Sequence, residues 1–145
     1  MCGIFGYIGN KTNAAEVILE GLKSLEYRGY DSWGVAIKNS KEQLFIEKHT
    51  GKIADATLPP MQSSLGIGHT RWATHGGVTR ANAHPHVSCN KKIAVVHNGI
   101  VENYEVLKKK LLTQGHVFQS QTDSEVLVHQ IEEDLKTEHD LRQVM

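Results

Sequence analysis

Two hydrophobic patterns alternate along this chain, and together they restrict it to one mixed fold. Short apolar runs bounded by glycine, asparagine and proline have the character of strands, whereas other stretches repeat apolar residues every three or four positions, as one helical face does. Residues 4–8 read as a short buried strand. Asn13-Ala14-Ala15-Glu16 has the form of a capping box, and Val17, Ile18, Leu22 and Leu25 follow on one stripe, giving a helix that stops at Arg28-Gly29. Residues 35–38 and 44–47 read as a hairpin across the polar turn Asn39-Ser40-Lys41, and residues 51–64 as mostly connection. Residues 65–70 and 93–97 are further strands, separated by a long polar loop rich in glycine, asparagine and histidine. A second helix starts near Asn103 with Leu107, Leu111 and Leu112, and ends at Gly115; Val117-Phe118 reads as a short strand. Thr122-Asp123-Ser124-Glu125 forms a clearer capping box ahead of Leu127, Ile131 and Leu135, and residues 140–145 begin another helix. With no repeat and no linker, this is one α+β domain.

Composition narrows the function classes. The 145 residues can bury a core, and 39% hydrophobic with 22% charged residues is the balance of a globular protein. Sixteen basic residues match sixteen acidic ones, so no bulk positive field draws nucleic acid or an anionic membrane. No apolar stretch approaches the ~20 residues that span a bilayer, and the N-terminus lacks a secretory pattern. Two cysteines without framework spacing argue against a disulfide scaffold, so the expected compartment is cytoplasmic.

Chemistry concentrates at strand ends and in loops. One methionine separates Cys2 from the N-terminus, and its removal would place a thiol and an α-amine on one Cα. A thiol titrates near ~8.5 and an α-amine near ~7.7–8.0, so the amine can take the thiol proton, a nucleophile and base within one residue. A small buried cysteine in a first strand is the competing reading. Residues 69–77 (HTRWATHGG) leave a strand and enter a glycine-bearing loop; Arg71 suits two parallel hydrogen bonds to a carboxylate, and a surface salt bridge is its alternative. His97-Asn98-Gly99 follows an apolar run, where an asparagine amide and a glycine N–H could converge on one oxygen, or could make an Asn-Gly turn. Asp123 could cap a helix or receive an ammonium. Cys89 sits in a polar loop and reads as incidental. Of the nine histidines, the His69/His75 pair and His84/His86 are the nearest to a metal set, but no CxxC, HExxH or helical pair supports one, so no metal and no cofactor is expected.

Taken together, CGIFGYIG at residues 2–9, LEYRGYDS at 25–32, HTRWATHG at 69–76, NAHPH at 82–86, VVHNGI at 95–100 and TDSE at 122–125 resemble the glutaminase domain of glucosamine-6-phosphate synthase, a class II glutamine amidotransferase of the N-terminal-nucleophile hydrolase type. The pieces occur in family order and span nearly the whole chain. The resemblance implies a four-layer αββα sandwich of antiparallel sheets, incomplete at the C-terminus, with residues 1–145 the N-terminal portion of the domain and the sugar-phosphate isomerase domains absent. It implies Cys2 as nucleophile with its α-amine as base, Asn98 and Gly99 as the oxyanion hole, Arg71 on the glutamine α-carboxylate and Asp123 on its α-ammonium. Trp72, Thr74, His75 and Gly76 would belong to the loop that closes over glutamine, and His84 would support the pocket. The implied partners are L-glutamine and, in the full-length enzyme, an isomerase domain carrying fructose 6-phosphate, in a homodimer. A glutamine- or partner-binding fragment without turnover, or the glutaminase domain of another class II enzyme, is the alternative. Trp33 departs from the pattern, because a small residue is common at that position.

Overall fold

The computed structural model of the chain describes residues 2–74, 76–138 and 140. Strands β1 (Gly3–Ile8), β2 (Ser32–Lys38), β3 (Leu44–Thr50) and β4 (Leu65–Arg71) form an antiparallel sheet in the order β1-β4-β2-β3. Helix α1 (Ala14–Ser24) covers one face. Strand alternation sends Trp33, Val35 and Ile37 of β2 to that face, where they meet Ile18, Leu19 and Leu22 of α1 in the main apolar core. The opposite face carries a two-stranded ribbon, β5 (His86–Val87) with β6 (Ala94–Val95), and helix α3 (Glu125–Asp134) packs on the ribbon beside α2 (Tyr104–Thr113). The layers therefore run helix, sheet, sheet, helix, as the resemblance implies.

Several local expectations change. β1 is an edge strand and not a buried one: Phe5 and Tyr7 pack on the core, while Ile4 is 42% and Ile8 83% exposed on the other face. α1 begins where the pattern placed it, but Asn13 makes no side-chain cap, and its Oδ1 is buried without a hydrogen-bond partner. Residues 93–97 yield only two paired residues, because their partner β5 lies within the loop between His84 and Ser88. Residues 51–64 do more than connect. Ile53, Ala56, Leu58 and Met61 close the open side of the core, and the Glu26 carboxylate accepts the amides of Ile53 and Ala54 at 2.8 and 3.0 Å. The buried Trp33 indole is accommodated by stacking on its cross-strand neighbour His49 at 4.6 Å, and it belongs to the same core cluster as Ile53.

The second capping box does not form. The Thr122 hydroxyl bonds His86 and Ser120, and the Glu125 carboxylate accepts the amides of Gln119 and Ser120, so both side chains tie loops to the helix start without capping each other. The core face of α3 is also rotated from the one the apolar pattern marks. Leu127, Ile131 and Leu135 are only half-buried, whereas Glu125, Val126, Val128, His129 and Glu132 are buried. Val117 and Phe118 make no strand, because the Val117 amide bonds the Cys89 sulfur at 3.4 Å. The helix expected over residues 140–145 lies outside the described residues, Asp140 excepted.

Close contact between α1 and β1 yields a test. A Cβ on Gly21 would stand 2.4–2.6 Å from the Phe5 ring, including its Cγ, which a rotamer change hardly moves. Alanine in a helix interior gains roughly 1 kcal/mol over glycine, whereas overpacking costs about 1–3 kcal/mol. Gly21→Ala is expected to lower the thermal melting temperature, the reverse of the helix-propensity effect; an unchanged or raised value would place Phe5 elsewhere.

Candidate active site

The registers Gly3↔Thr70 and Ser32↔Arg71 bring the start of β1, the end of β4 and the start of β2 to one end of the sheet. Cys2, Trp72 and Asp31 consequently meet although they are distant in sequence. The Cys2 sulfur accepts the Trp72 amide at 3.3 Å and lies 3.6 Å from the Trp72 carbonyl. Asp31 accepts the Ala73 amide at 2.8 Å and pins the chain as it leaves β4. Gly29 is required by close approach: a Cβ there would lie 2.7 Å from the Arg71 carbonyl carbon. Asp31 and Gly29 give the RGYD segment a structural role that its motif alone did not disclose.

From the opposite layer, Asn98 reaches back to this end. Its Nδ2 donates to the Cys2 carbonyl at 3.1 Å, and its Oδ1 lies 2.8 Å from His69 Nε2. With the carboxamide oxygen occupied by the imidazole N–H, the amide nitrogen is aimed at Cys2. Gly99 is adjacent, and both line a cavity of about 520 Å³ with Cys2, Arg71, Trp72, Thr74, His84 and Asp123, a volume within the ordinary ligand-pocket range. Arg71 is 4% exposed and donates to the carbonyls of Gly76 and Gly77 at 3.3 and 3.2 Å, so the loop after β4 folds back on the guanidinium. Burial lowers the Arg71 pKa, and the nearby Cys2, Asp31 and Asp123 act in the opposite direction. Asp123 accepts the Val101 amide at 2.7 Å, joining the loop after Gly99 to the start of α3. Trp72, 43% exposed, rests against Tyr30 with ring centroids 5.4 Å apart.

Eight of the ten anticipated site residues thus line one cavity. Gly76 reaches it only through Arg71, and His75 lies outside the described residues. Sequence reasoning missed Ser124, His97 and the positioning role of His69. The His97 ring bonds the Ser124 hydroxyl at 3.0 Å, and the His97 amide donates to His84 Nδ1 at 3.3 Å. His69 and His84 stack at 4.3 Å, and His86 sets its edge on His84 at 4.4 Å. Of the histidines read as metal candidates, His69, His84 and His86 form a buried stack whose members bond Asn98, the His97 amide and Thr122; His75 lies outside the described residues. The parity of β4 was the available signal for His69, since Leu65, Ile67, His69 and Arg71 alternate toward the cavity side.

A family model described as a glutamine amidotransferase domain matches residues 46–138. Over 140 residues the chain is 51% identical to a glutamine–fructose-6-phosphate aminotransferase (isomerizing) of Methanococcus maripaludis and 54% identical to that of Pyrococcus horikoshii, covering 94% of this chain and 23% of each relative. The chain thus spans about a quarter of the length of these curated relatives. Among solved structures it is similar to glutamine phosphoribosylpyrophosphate amidotransferase of B. subtilis complexed with ADP and GMP (TM-score 0.78, 29% identity), covering 99% of this chain and 31% of that one. A structure described as the allosteric regulatory enzyme of purine biosynthesis gives a TM-score of 0.80 at 30% identity, with the same coverage.

The histidine stack sets a pH dependence. Burial pushes His69 down to about 4 and His86 down to about 3, and lowers His84 as well. Below the ordinary imidazole value of ~6.5 the unfolded chain binds protons that the folded stack excludes, so stability falls as pH drops. Denaturant midpoints are expected to decline between about pH 6.5 and 4, before the bulk of the carboxylates protonate; a flat profile across that window would contradict neutral stacked rings.

Proposed function

This chain belongs to the glutamine amidotransferase domain family, and we propose that its cavity hydrolyses the side-chain amide of L-glutamine with Cys2 as nucleophile. One observation carries this reading: the Asn98 amide meets Cys2 across 96 residues of sequence. Removal of Met1 would give Cys2 a free α-amine. That amine takes the thiol proton, and the thiolate attacks the carboxamide carbon. The oxyanion that forms is held by the Asn98 Nδ2 and the Gly99 backbone N–H. The ammonium proton passes to the leaving nitrogen, ammonia departs, and a γ-glutamyl thioester remains. Water, deprotonated by the amine, then attacks the thioester carbon and expels the thiolate, giving glutamate. Arg71 holds the α-carboxylate, Asp123 the α-ammonium, and the loop of Trp72, Thr74, His75 and Gly76 covers the substrate.

The proposal extends to the longer protein. Residues 1–145 are read as the N-terminal portion of a type 2 amidotransferase domain, and Ile4, Ile8 and Leu65 leave an apolar strip exposed on the cavity side of the sheet. Relatives named glutamine–fructose-6-phosphate aminotransferase (isomerizing) support transfer of the ammonia to fructose 6-phosphate on a separate isomerase part. Glucosamine 6-phosphate as product and a cytoplasmic homodimer complete the proposal for the longer protein. No helix among the described residues is long and apolar enough to cross a membrane.

Substitutions separate the roles. Cys2→Ala is expected to abolish glutamine hydrolysis while glutamine still binds. Asn98→Ala should lower kcat by about 10²–10³ with little change in KM, the effect of a lost oxyanion donor. Arg71→Lys keeps the charge but loses the planar fork, so KM should rise; one charge-assisted hydrogen bond is worth roughly 1.5–3 kcal/mol, about ten- to hundred-fold in kcat/KM. Steady-state kinetics decide each case, and an Asn98→Ala effect confined to KM would overturn the oxyanion assignment.

A further inference from the structure

Away from the cavity, four metal-ligating side chains from three segments converge between the β5–β6 turn and α3. Cys89 comes from the turn, His116 from the loop after α2, and His129 and Glu132 from successive turns of α3; their donor atoms all lie within 4.8 Å of one another. The Cys89 sulfur is 3.6 Å from His129 Nδ1 and 3.8 Å from His116 Nδ1. Glu132 Oε2 is 3.3 Å from His116 Nδ1 and 3.6 Å from His129 Nδ1.

We propose that Cys89, His116, His129 and Glu132 form a tetrahedral zinc site that fixes α3 to the β5–β6 ribbon. Zinc bonds of ~2.3 Å to sulfur and ~2.0–2.1 Å to nitrogen or oxygen place tetrahedral ligand atoms about 3.6 Å apart for an S–N pair and about 3.4 Å for an N–O pair, close to the 3.6 and 3.8 Å S–N and the 3.3 and 3.6 Å N–O separations here. The charges also balance, since one thiolate and one carboxylate neutralise Zn²⁺ while both imidazoles stay neutral. The outer partners suit metal ligation. His116 Nε2 lies 2.8 Å from Glu133 Oε2, which places its proton on Nε2 and leaves the Nδ1 lone pair facing the cluster. His129 Nε2 is buried without a hydrogen-bond partner, with Glu125 Oε1 the nearby carboxylate oxygen at 3.6 Å. The Val117 amide donates to the Cys89 sulfur at 3.4 Å, and the Cys89 and Asn90 amides hold the two Glu132 oxygens at 2.8 Å each. A cation among these acceptors explains why α3 buries Glu132 and His129 in place of its leucine stripe. Asp123 and Ser124 immediately precede α3, so the site would also brace that wall of the cavity.

The test is zinc content and cobalt substitution in the purified protein, followed by variants at the four positions. One zinc per chain is expected. Co²⁺ loaded after chelation should give a thiolate-to-metal charge-transfer band together with the intense visible bands of tetrahedral coordination. Cys89→Ser, at an exposed position, should abolish the charge-transfer band with circular dichroism unchanged. Glu133→Gln should weaken zinc binding about 10- to 100-fold while leaving the ligands in place. In a Cys2→Ala background, zinc should protect Cys89 from iodoacetamide and a chelator should restore its alkylation. No bound zinc after reconstitution, or zinc and the cobalt bands retained in Cys89→Ser, would overturn the site and leave a hydrogen-bonded cluster.

Discussion

The pairing of β1 with β4 is the constraint on which the site depends. Matching Gly3 with Thr70 sets Cys2 beside Trp72, and the β2–β4 pairing sets Asp31 beside the same turn. A one-residue slip would send every side chain of β1 to the other face, moving Phe5 and Tyr7 out of the core. The apolar packing that holds α1 on the sheet therefore also holds the thiol in place. Gly29 and Asp31 complete the arrangement, one by letting the backbone pass against Arg71 and the other by anchoring Ala73.

Polar interactions do on the second face what apolar packing does on the first. The ring of His69 orients Asn98, His84 receives the His97 amide, and the Thr122 hydroxyl meets His86. Buried polar groups are tolerated because they are paired, and that pairing gives the loop 97–101 one arrangement over Cys2.

Legibility in the sequence followed the same division. Where hydrophobic periodicity governs, as in α1, the β2–β3 hairpin and β4, the elements lie where the pattern put them; the strands run one to three residues longer, while α1 stops at Ser24 and leaves Glu26–Arg28 to a separate 3-10 turn. Where polar contacts govern, local rules failed. The capping-box pattern at Thr122 was satisfied by long-range partners, α3 turned its leucines away from the core, and β5 was hidden in a polar loop because its partner among the described residues, β6, lies beyond the turn at residues 88–93. Motifs marked nearly all of the cavity, since Cys2, Arg71, Asn98 and Asp123 each sit at an element end. Asp31 escaped notice as a positioning residue because only the β2–β4 register shows that it meets Ala73, and His69 because its partner Asn98 comes from a loop 29 residues on. Cys89 looked incidental because its neighbours come from segments 27 and 40 residues away.

The central claim is that Cys2, freed of Met1 and set beneath Asn98, is the nucleophile. Intact-mass and peptide mapping after treatment with an electrophilic glutamine analogue tests it directly. The account predicts a protein that lacks Met1 and carries one adduct on Cys2, formed more slowly in excess glutamine. An adduct confined to Cys89, or full glutamine hydrolysis by protein that retains Met1, would contradict it.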